Sequence, residues 1–277
     1  MRRDFAVFET VAIIGLGLLG SSLCHAIRGR RQAKRIVGTD TSAETRATAE
    51  RIELCDAVCA DAAEAVSEAD LVILCVPVGA MAAVVAEIAP ALKPGAVVTD
   101  VGSVKAAVID AVAPLLPSHA TLVPAHPIAG TEHSGPEAGF ASLFEGRWCI
   151  VTPLPATPPE TVERVIALWE ALGSRVDTMT PEHHDRVLAV TSHLPHLIAY
   201  TIVGTADDLE EVTQAEVIKY SAGGFRDFTR IAASDPTMWR DVFLNNREAT
   251  LELLGRFTED LVALPPTNSA LQRDEIF

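Results

Sequence analysis

Val11-Ala12-Ile13-Ile14-Gly15-Leu16-Gly17-Leu18-Leu19-Gly20-Ser21-Ser22 is the stretch that decides the fold. Four apolar residues run straight into Gly-x-Gly-x-x-Gly. An apolar run without alternation predicts a strand buried on both faces. Past the glycines, Leu18, Leu19, Leu23, Ala26 and Ile27 continue at helical spacing. Each glycine has its own task in such a strand–turn–helix. Gly15 makes the tight turn, Gly17 lets a pyrophosphate approach the backbone, and Gly20 lets the helix pack close to the strand. The helix N-terminus then offers free N–H groups and a partial positive charge to phosphate.

An acid is expected about 20 residues further on, where it can accept the ribose hydroxyls. Arg35-Ile36-Val37-Gly38-Thr39-Asp40 supplies it at the end of a second short strand. Thr41, Ser42 and Ala43 follow, with no basic residue until Arg46. A 2′-phosphate would meet a carboxylate without an adjacent cation, so the pattern predicts NAD rather than NADP. Gly15, Gly17, Leu18, Leu19, Gly20 and Asp40 are the expected cofactor-binding residues.

Outward from this loop the first half alternates strand and helix patterns. Helices are expected over 43–51, 61–67, 81–92, 106–115 and 160–173, with strands over 70–77, 96–100, 121–125, 148–153 and 175–178. Repeated βα units imply a doubly wound, mostly parallel α/β sheet whose ligands bind beyond the carboxyl ends of its strands. That rule adds Val76 and Pro77 to the cofactor side and brings Ser103 and His126 there too. After Thr180-Pro181 no clear strand remains. Helices are expected over 182–209, 212–222 and 236–264, broken around 221–225. The expected domains are therefore 1–179 and 180–277, the second all-helical and, with its long apolar faces, a homodimerisation surface.

The 277 residues are 49% hydrophobic and 21% charged, with a formal charge of −15. So acidic a chain disfavours nucleic acid, although local arginines can still hold a small anion. The five cysteines, an odd number without Cys-x-x-Cys spacing, fit free thiols in a reducing compartment. The start, Met1-Arg2-Arg3-Asp4-Phe5, lacks a signal-peptide apolar region, and no run of about 18 consecutive apolar residues predicts a membrane span. A cytoplasmic enzyme is expected.

Three clusters carry chemistry. Asp100-Val101-Gly102-Ser103-Val104-Lys105 follows a strand, and Ser103 can bond a substrate hydroxyl or the nicotinamide, or cap a helix. His126-Pro127-Ile128-Ala129-Gly130-Thr131-Glu132-His133-Ser134-Gly135 crowds polar groups and glycines into ten positions. His126 can serve as general base or hydrogen-bond acceptor near neutrality. In the helical half, His193 and His196 lie three apart on one helix face. That spacing also suits a metal, but no convincing third ligand stands nearby, and no metal is expected. Arg226 and Arg230, four apart behind Gly223-Gly224, can share a helix face and bind a carboxylate, or pair with Asp227 at the surface.

In order and spacing these motifs resemble the prephenate/arogenate dehydrogenases of tyrosine biosynthesis. The resemblance runs from Val11 to about Leu264 and includes Asp235 to Trp239. It implies a Rossmann-type domain, a helical dimeric second domain, and an NAD-dependent oxidative decarboxylation. A hydride leaves C4 of the cyclohexadienol ring, and the ring carboxylate departs as CO₂. It further implies that His126 polarises the C4 hydroxyl and that Ser103 holds that hydroxyl and the nicotinamide in register. Arg230 would bind a substrate carboxylate. His193, His196, Gly223 and Trp239 would line the pocket, and Glu132 with Asp227 would join an ionic network near Arg230. A cation on the departing carboxylate would oppose its loss, so Arg230 is expected on the side-chain carboxylate.

Neither a mutase-like segment ahead of the first strand nor a regulatory domain after Leu264 is expected. Competing readings are a β-hydroxyacid or pyrroline-carboxylate type of reductase, for which Lys219 is the lysine available in the helical half, and a non-catalytic NAD-binding sensor. The sensor leaves the histidine and arginine clusters unexplained. The choice between prephenate and arogenate stays open.

Overall fold

The computed structural model describes residues 7–131, 133–210 and 219–263. Six parallel strands form the main sheet: β1 Phe8–Ile14, β2 Ala33–Thr39, β3 Ala57–Cys59, β4 Leu71–Leu74, β5 Val97–Asp100 and β6 Thr121–Leu122, in the order β3-β2-β1-β4-β5-β6. Helices α1 Leu18–Gly29, α2 Ala43–Arg51, α3 Ala62–Val66, α4 Met81–Ile88 and α5 Ala106–Val112 connect them. The order reverses between β1 and β4, which opens a crevice at the carboxyl ends of those strands.

The continuous apolar strands follow from the two cores they divide. Val11, Ile13, Ile36, Leu71 and Ile73 join Leu23 and Ile27 of α1 on one face. Ala12, Ile14, Val72, Leu74 and Val98 join Met81, Val85, Ile88 and Val108 on the other. Alternate residues of one strand therefore meet different helices, and neither set can be polar.

The expected single strand over 121–125 is divided. Thr121 and Leu122 pair with β5, whereas β7, Ala125–Pro127, leaves for a second sheet. There it runs antiparallel to β8, Trp148–Val151, which pairs in parallel with β9, Arg175–Thr178. Pro124 lies at the divide, and a proline cannot donate to a ladder. Helix α6, Pro159–Ala171, packs here through Trp169, whose ring meets Phe144 edge-on at 5.3 Å.

Among the described residues two compact units separate. The first runs through Asp185 and takes in Ser234–Asn245; the second comprises Arg186–Ala233 and the chain from Asn246. Helix α7, Pro181–Leu188, passes through a π-helical turn at Ala189–His193 into α8, Leu194–Glu210. The wide turn ends two residues before Pro195, whose missing N–H and bulky ring disturb the bonding of the preceding turn. Helix α9, Gly223–Thr229, packs on α8, as does the 3₁₀ turn Arg230–Ala233. Gly223 and Gly224 thus open a helix, where the sequence suggested a break. The expected single helix over 236–264 is two, α10 Pro236–Asn245 and α11 Arg247–Ala263, parted at buried Asn246. Of the expected helix over 212–222, residues 212–218 lie outside the described residues.

The sequence holds no run of about 18 consecutive apolar residues, yet by length and mean composition one helical segment among the described residues is apolar enough to cross a membrane. The segment Pro181–Leu209 has a window of mean hydropathy 1.4, of which 22% is buried. Apolar side chains at Val190, Ile202, Val203, Leu251, Leu261 and Val262 are exposed on these helices.

Candidate active site

The glycine loop follows β1 directly. Gly15 has φ +97°, and a Cβ there would lie 2.5 Å from the Cys75 carbonyl oxygen. A Cβ on Gly20 would lie 1.9 Å from the Gly15 carbonyl oxygen, so α1 can start this close to β1 only with glycine. Among the described residues nothing stands within 4 Å of the Cβ position of Gly17. That open approach beside the first turn of α1 fits a pyrophosphate. Leu18 and Leu19 form that turn and are half-buried. The Asp40 carboxylate closes the far side, accepting from the N–H groups of Leu16 and Ser42, both at 2.9 Å. One prediction needs correction: a cation does adjoin Asp40. Arg46 folds back from α2 to donate to the carbonyl oxygens of Asp40 at 2.6 Å and Thr41 at 3.1 Å. Val76 and Pro77 leave β4 beside this loop, and a Val76 methyl lies 3.1 Å from the Gly15 Cβ position.

Past β5, the chain is held by a buried ion pair. Lys105 Nζ bonds the Asp100 carboxylate and also donates to the Ala125 carbonyl oxygen at 2.8 Å. Asp100 accepts in addition from the N–H groups of Gly102 and Ala125. Both ionic side chains are inaccessible to solvent. The pair thus ties three things together: the end of β5, the loop carrying half-buried Ser103, and the first residue of β7. Ser103 is not the helix cap that its residue type suggested. Helix α5 is capped from a distance by Asp185, whose carboxylate accepts from Lys105 N at 2.7 Å and Ala106 N at 2.9 Å.

His126 is the central residue of β7 and is 7% exposed. It belongs to a strand of the second sheet and not to a loop, yet Ala125 binds it to the carboxyl end of β5. Its Nδ1 lies 2.9 Å from Nε2 of His184, a fully buried residue of α7. His184 Nδ1 in turn lies 2.8 Å from Oδ1 of Asp185. Burial lowers the His184 pKa below the usual imidazole value; the Asp185 hydrogen bond opposes the shift, and nearby Lys105 adds to it. Sequence reasoning missed His184 and Asp185. The Thr180-Pro181-Glu182-His183-His184-Asp185 run reads as a polar helix start, and only burial distinguishes His184 from its exposed neighbour His183.

In the second unit, His193 is fully buried, and its Nδ1 accepts from Asn246 Nδ2 at 3.0 Å. His196 is half-buried, with Nδ1 donating to the Ser192 carbonyl oxygen at 2.8 Å. Burial lowers its pKa, and the Ser192 carbonyl counteracts this. Gly223, Arg226, Asp227 and Arg230 are exposed. Among the described residues neither arginine forms an ion pair with Asp227, and Glu132 lies outside the described residues. Trp239 is buried in α10 with its ring 5.5 Å from that of Phe243, within the first compact unit. There α10 packs on the turn Val78–Ala80, which follows Pro77.

Two family descriptions match this chain: "Prephenate dehydrogenase, nucleotide-binding domain" over residues 23–178 and "Prephenate dehydrogenase, dimerization domain" over residues 180–276. The chain belongs to the prephenate dehydrogenase family. Cyclohexadienyl dehydrogenase of Zymomonas mobilis is 46% identical over 258 residues, covering 93% of this chain and 88% of that protein. Prephenate dehydrogenase of Bacillus subtilis is 37% identical over 252 residues, covering 91% of this chain and 67% of the relative. A crystal structure of prephenate dehydrogenase from Aquifex aeolicus, in complex with hydroxyphenyl propionate and NAD⁺, superposes with a TM-score of 0.85. It shares 35% identity, with coverage of 92% of this chain and 88% of that one. In this prephenate dehydrogenase family member Asp40 and the Asp100–Lys105 segment lie within the stretch matched by the nucleotide-binding description, which begins just after the glycine loop. His193, His196 and Arg230 belong to the half matched by the dimerisation description.

Proposed function

We propose that this chain is an NAD-dependent cyclohexadienyl dehydrogenase, which oxidises and decarboxylates prephenate, arogenate or both. The products are 4-hydroxyphenylpyruvate from the first and tyrosine from the second. The observation that carries the reading is His126, a buried imidazole whose strand is clamped by Lys105 and Asp100 to the carboxyl end of β5. Membership of the family supports the reaction class. The open backbone at Gly17, with Asp40 at the end of β2, supports the dinucleotide.

Bound NAD supplies the hydride acceptor. The C4–H bond breaks with its electron pair leaving the ring, while the C1–carboxylate bond breaks and its pair restores the ring's electrons. Aromatisation accompanies loss of CO₂, and the C4 oxygen ends as a phenol. Positive charge develops at C4 during this step, and an acceptor on the hydroxyl proton stabilises it. The neutral His126 imidazole is suited to that work near neutral pH. We assign Ser103 to the same hydroxyl and to the nicotinamide side. Arg230 is assigned to the side-chain carboxylate, so that no cation holds the carboxylate that must depart. His193, His196, Gly223, Trp239, Glu132 and Asp227 complete the assigned substrate-binding set, and Val76, Pro77, Leu18 and Leu19 the cofactor set.

We place the functional boundary at 179/180 and assign homodimerisation to the helical half. The exposed apolar residues of α8 and α11, and the apolar character of Pro181–Leu209, are accounted for by burial against a second copy. A soluble cytoplasmic enzyme follows from this reading.

The test is reduced-nicotinamide absorbance with prephenate, with arogenate and without substrate, each with NAD⁺ and with NADP⁺. Signal with at least one acid and NAD⁺ is expected. No signal with either acid would remove the reading, and faster turnover with NADP⁺ would remove the cofactor assignment.

A further inference from the structure

We infer that Asp185 and His184 form a two-step buried relay that fixes the tautomer of His126, making His184 a positioning residue for the reaction. The inference rests on the dehydrogenase reading for its purpose, and on geometry alone for its hydrogen positions.

The hydrogen positions follow in sequence. Asp185 Oδ1 is held as an acceptor by the backbone N–H of Lys105 at 2.7 Å, and its Oδ2 by that of Ala106 at 2.9 Å. A carboxylate so engaged at a helix start is ionised and has no proton to give. The contact at 2.8 Å to His184 Nδ1 therefore carries the proton on the histidine. A neutral imidazole protonated at Nδ1 has its lone pair at Nε2. His184 Nε2 faces His126 Nδ1 at 2.9 Å, so the proton in that bond belongs to His126. His126 is then left with its lone pair on Nε2, the form that accepts a hydroxyl proton. The opposite tautomer would present an N–H to the same hydroxyl and lose the acceptor function.

Neutral His184 is consistent with its surroundings. It is fully buried, with Asp185 on its own helix, Asp100 at the end of β5, Lys105 on the loop that follows, and His126 on β7. Lys105 opposes a second cation, while Asp185 and Asp100 favour one; burial outweighs them. Cys149 on β8 approaches the His126 backbone and is held in the thiol form by burial. The relay has a second consequence. Positive charge that builds on His126 during turnover is stabilised by the His184 acceptor, which Asp185 backs.

The experiment compares His184→Phe, which keeps a planar ring without an acceptor, with His184→Gln, whose amide oxygen can accept from His126 Nδ1. For His184→Phe, kcat is expected to fall about 100-fold, the lower range of general acid–base contributions, with KM changed little. The acidic limb of its kcat/KM profile should shift to lower pH. His184→Gln should recover most of the loss. Equal losses in both variants with an unmoved acidic limb would reduce His184 to a packing residue and overturn the relay, as would wild-type kinetics in His184→Phe. Imidazole ¹⁵N shifts of the wild-type protein provide a readout without turnover. Protonated Nδ1 on His126 is expected, and protonated Nε2 would overturn the relay even if both variants failed to fold. A wild-type chain inactive on both acids would defeat the function reading and leave the ¹⁵N shifts to decide this one.

Discussion

Gly20 is packed so tightly beneath Gly15 that a Cβ on Gly20 would lie 1.9 Å from the Gly15 carbonyl oxygen, while a Cβ on Gly17, between them, would meet none of the described residues within 4 Å. The first contact is with backbone, which cannot swing aside. Gly20→Ala is therefore expected to displace α1 from β1 and cost about 3 kcal/mol or more, at the upper end of overpacking penalties. Gly17 has φ −72°, which alanine adopts readily, so Gly17→Ala should keep the fold. Its added methyl points into the space assigned to the pyrophosphate, and NAD affinity should fall at least about tenfold, or 1.4 kcal/mol. Thermal melts and NAD titrations of both variants check this. Wild-type stability in Gly20→Ala, or wild-type affinity in Gly17→Ala, would contradict the division of tasks.

Lys105 and Asp100 give a second, sharper stability test. Neither side chain reaches solvent, so Lys105→Met leaves an ionised carboxylate buried without its cation. Breaking a buried pair in this way costs about 3–5 kcal/mol. Asp100 retains its bonds from Gly102 N and Ala125 N, which moderates the loss. Pairing Lys105→Met with Asp100→Asn removes the stranded charge and should restore part of the stability. Urea midpoints of the wild type, the single variant and the double variant measure it. A single variant within about 1 kcal/mol of wild type, the ordinary scale for exposed pairs, would show that water reaches Asp100.

Much of this arrangement was legible in the sequence because its causes are local. Gly15, Gly17 and Gly20 announce a turn through their spacing, and Val11 to Ile14 announce burial through their lack of alternation. Asp40 is found by counting from the loop. His126 could be singled out by its polar neighbours, although its place in an antiparallel strand pair depends on Cys149 and Ile150, more than twenty residues away. His184 and Asp185 were not legible. Asp185 caps a helix across about 80 residues of chain, and no spacing rule spans that distance. Arg46 lies six residues beyond Asp40 in the sequence, and one helical turn brings it back onto the Asp40 and Thr41 carbonyls. Local chemistry is written in short spacings; contacts made by crossing between elements are not.

Asp70 predicts part of the acid sensitivity. Its carboxylate pairs with Lys93 at 2.6 Å and accepts from the N–H groups of Thr10 and Glu9 at the start of β1. Burial raises its pKa, but Lys93 and the two N–H groups outweigh that, and the net direction is below the ordinary 3.8. A carboxyl lowered in the folded state adds stability that is complete above the unfolded value and is lost as pH falls through the folded one. Asp70→Asn should therefore be less stable than wild type at neutral pH, with the gap closing in acid below 3.8. Urea midpoints across that range test the sign. A gap that widens in acid would contradict it.

His126 and Arg230 should separate chemistry from binding. His126→Asn removes the imidazole acceptor while keeping a polar side chain, so kcat should fall by about 100-fold or more with KM little changed. Arg230 is exposed and forms no ion pair among the described residues, so its guanidinium is available for an anion. A charge-assisted bond to carboxylate contributes about 1.5–3 kcal/mol. Arg230→Ala should accordingly raise KM by about 10- to 100-fold. If Arg230 holds the side-chain carboxylate, that contact is equal in the ground and transition states, and kcat should survive within a few-fold. If it held the departing carboxylate, its removal would ease charge loss and raise kcat instead. Initial rates at saturating NAD⁺ across a prephenate series distinguish the two, and an unchanged KM would exclude both.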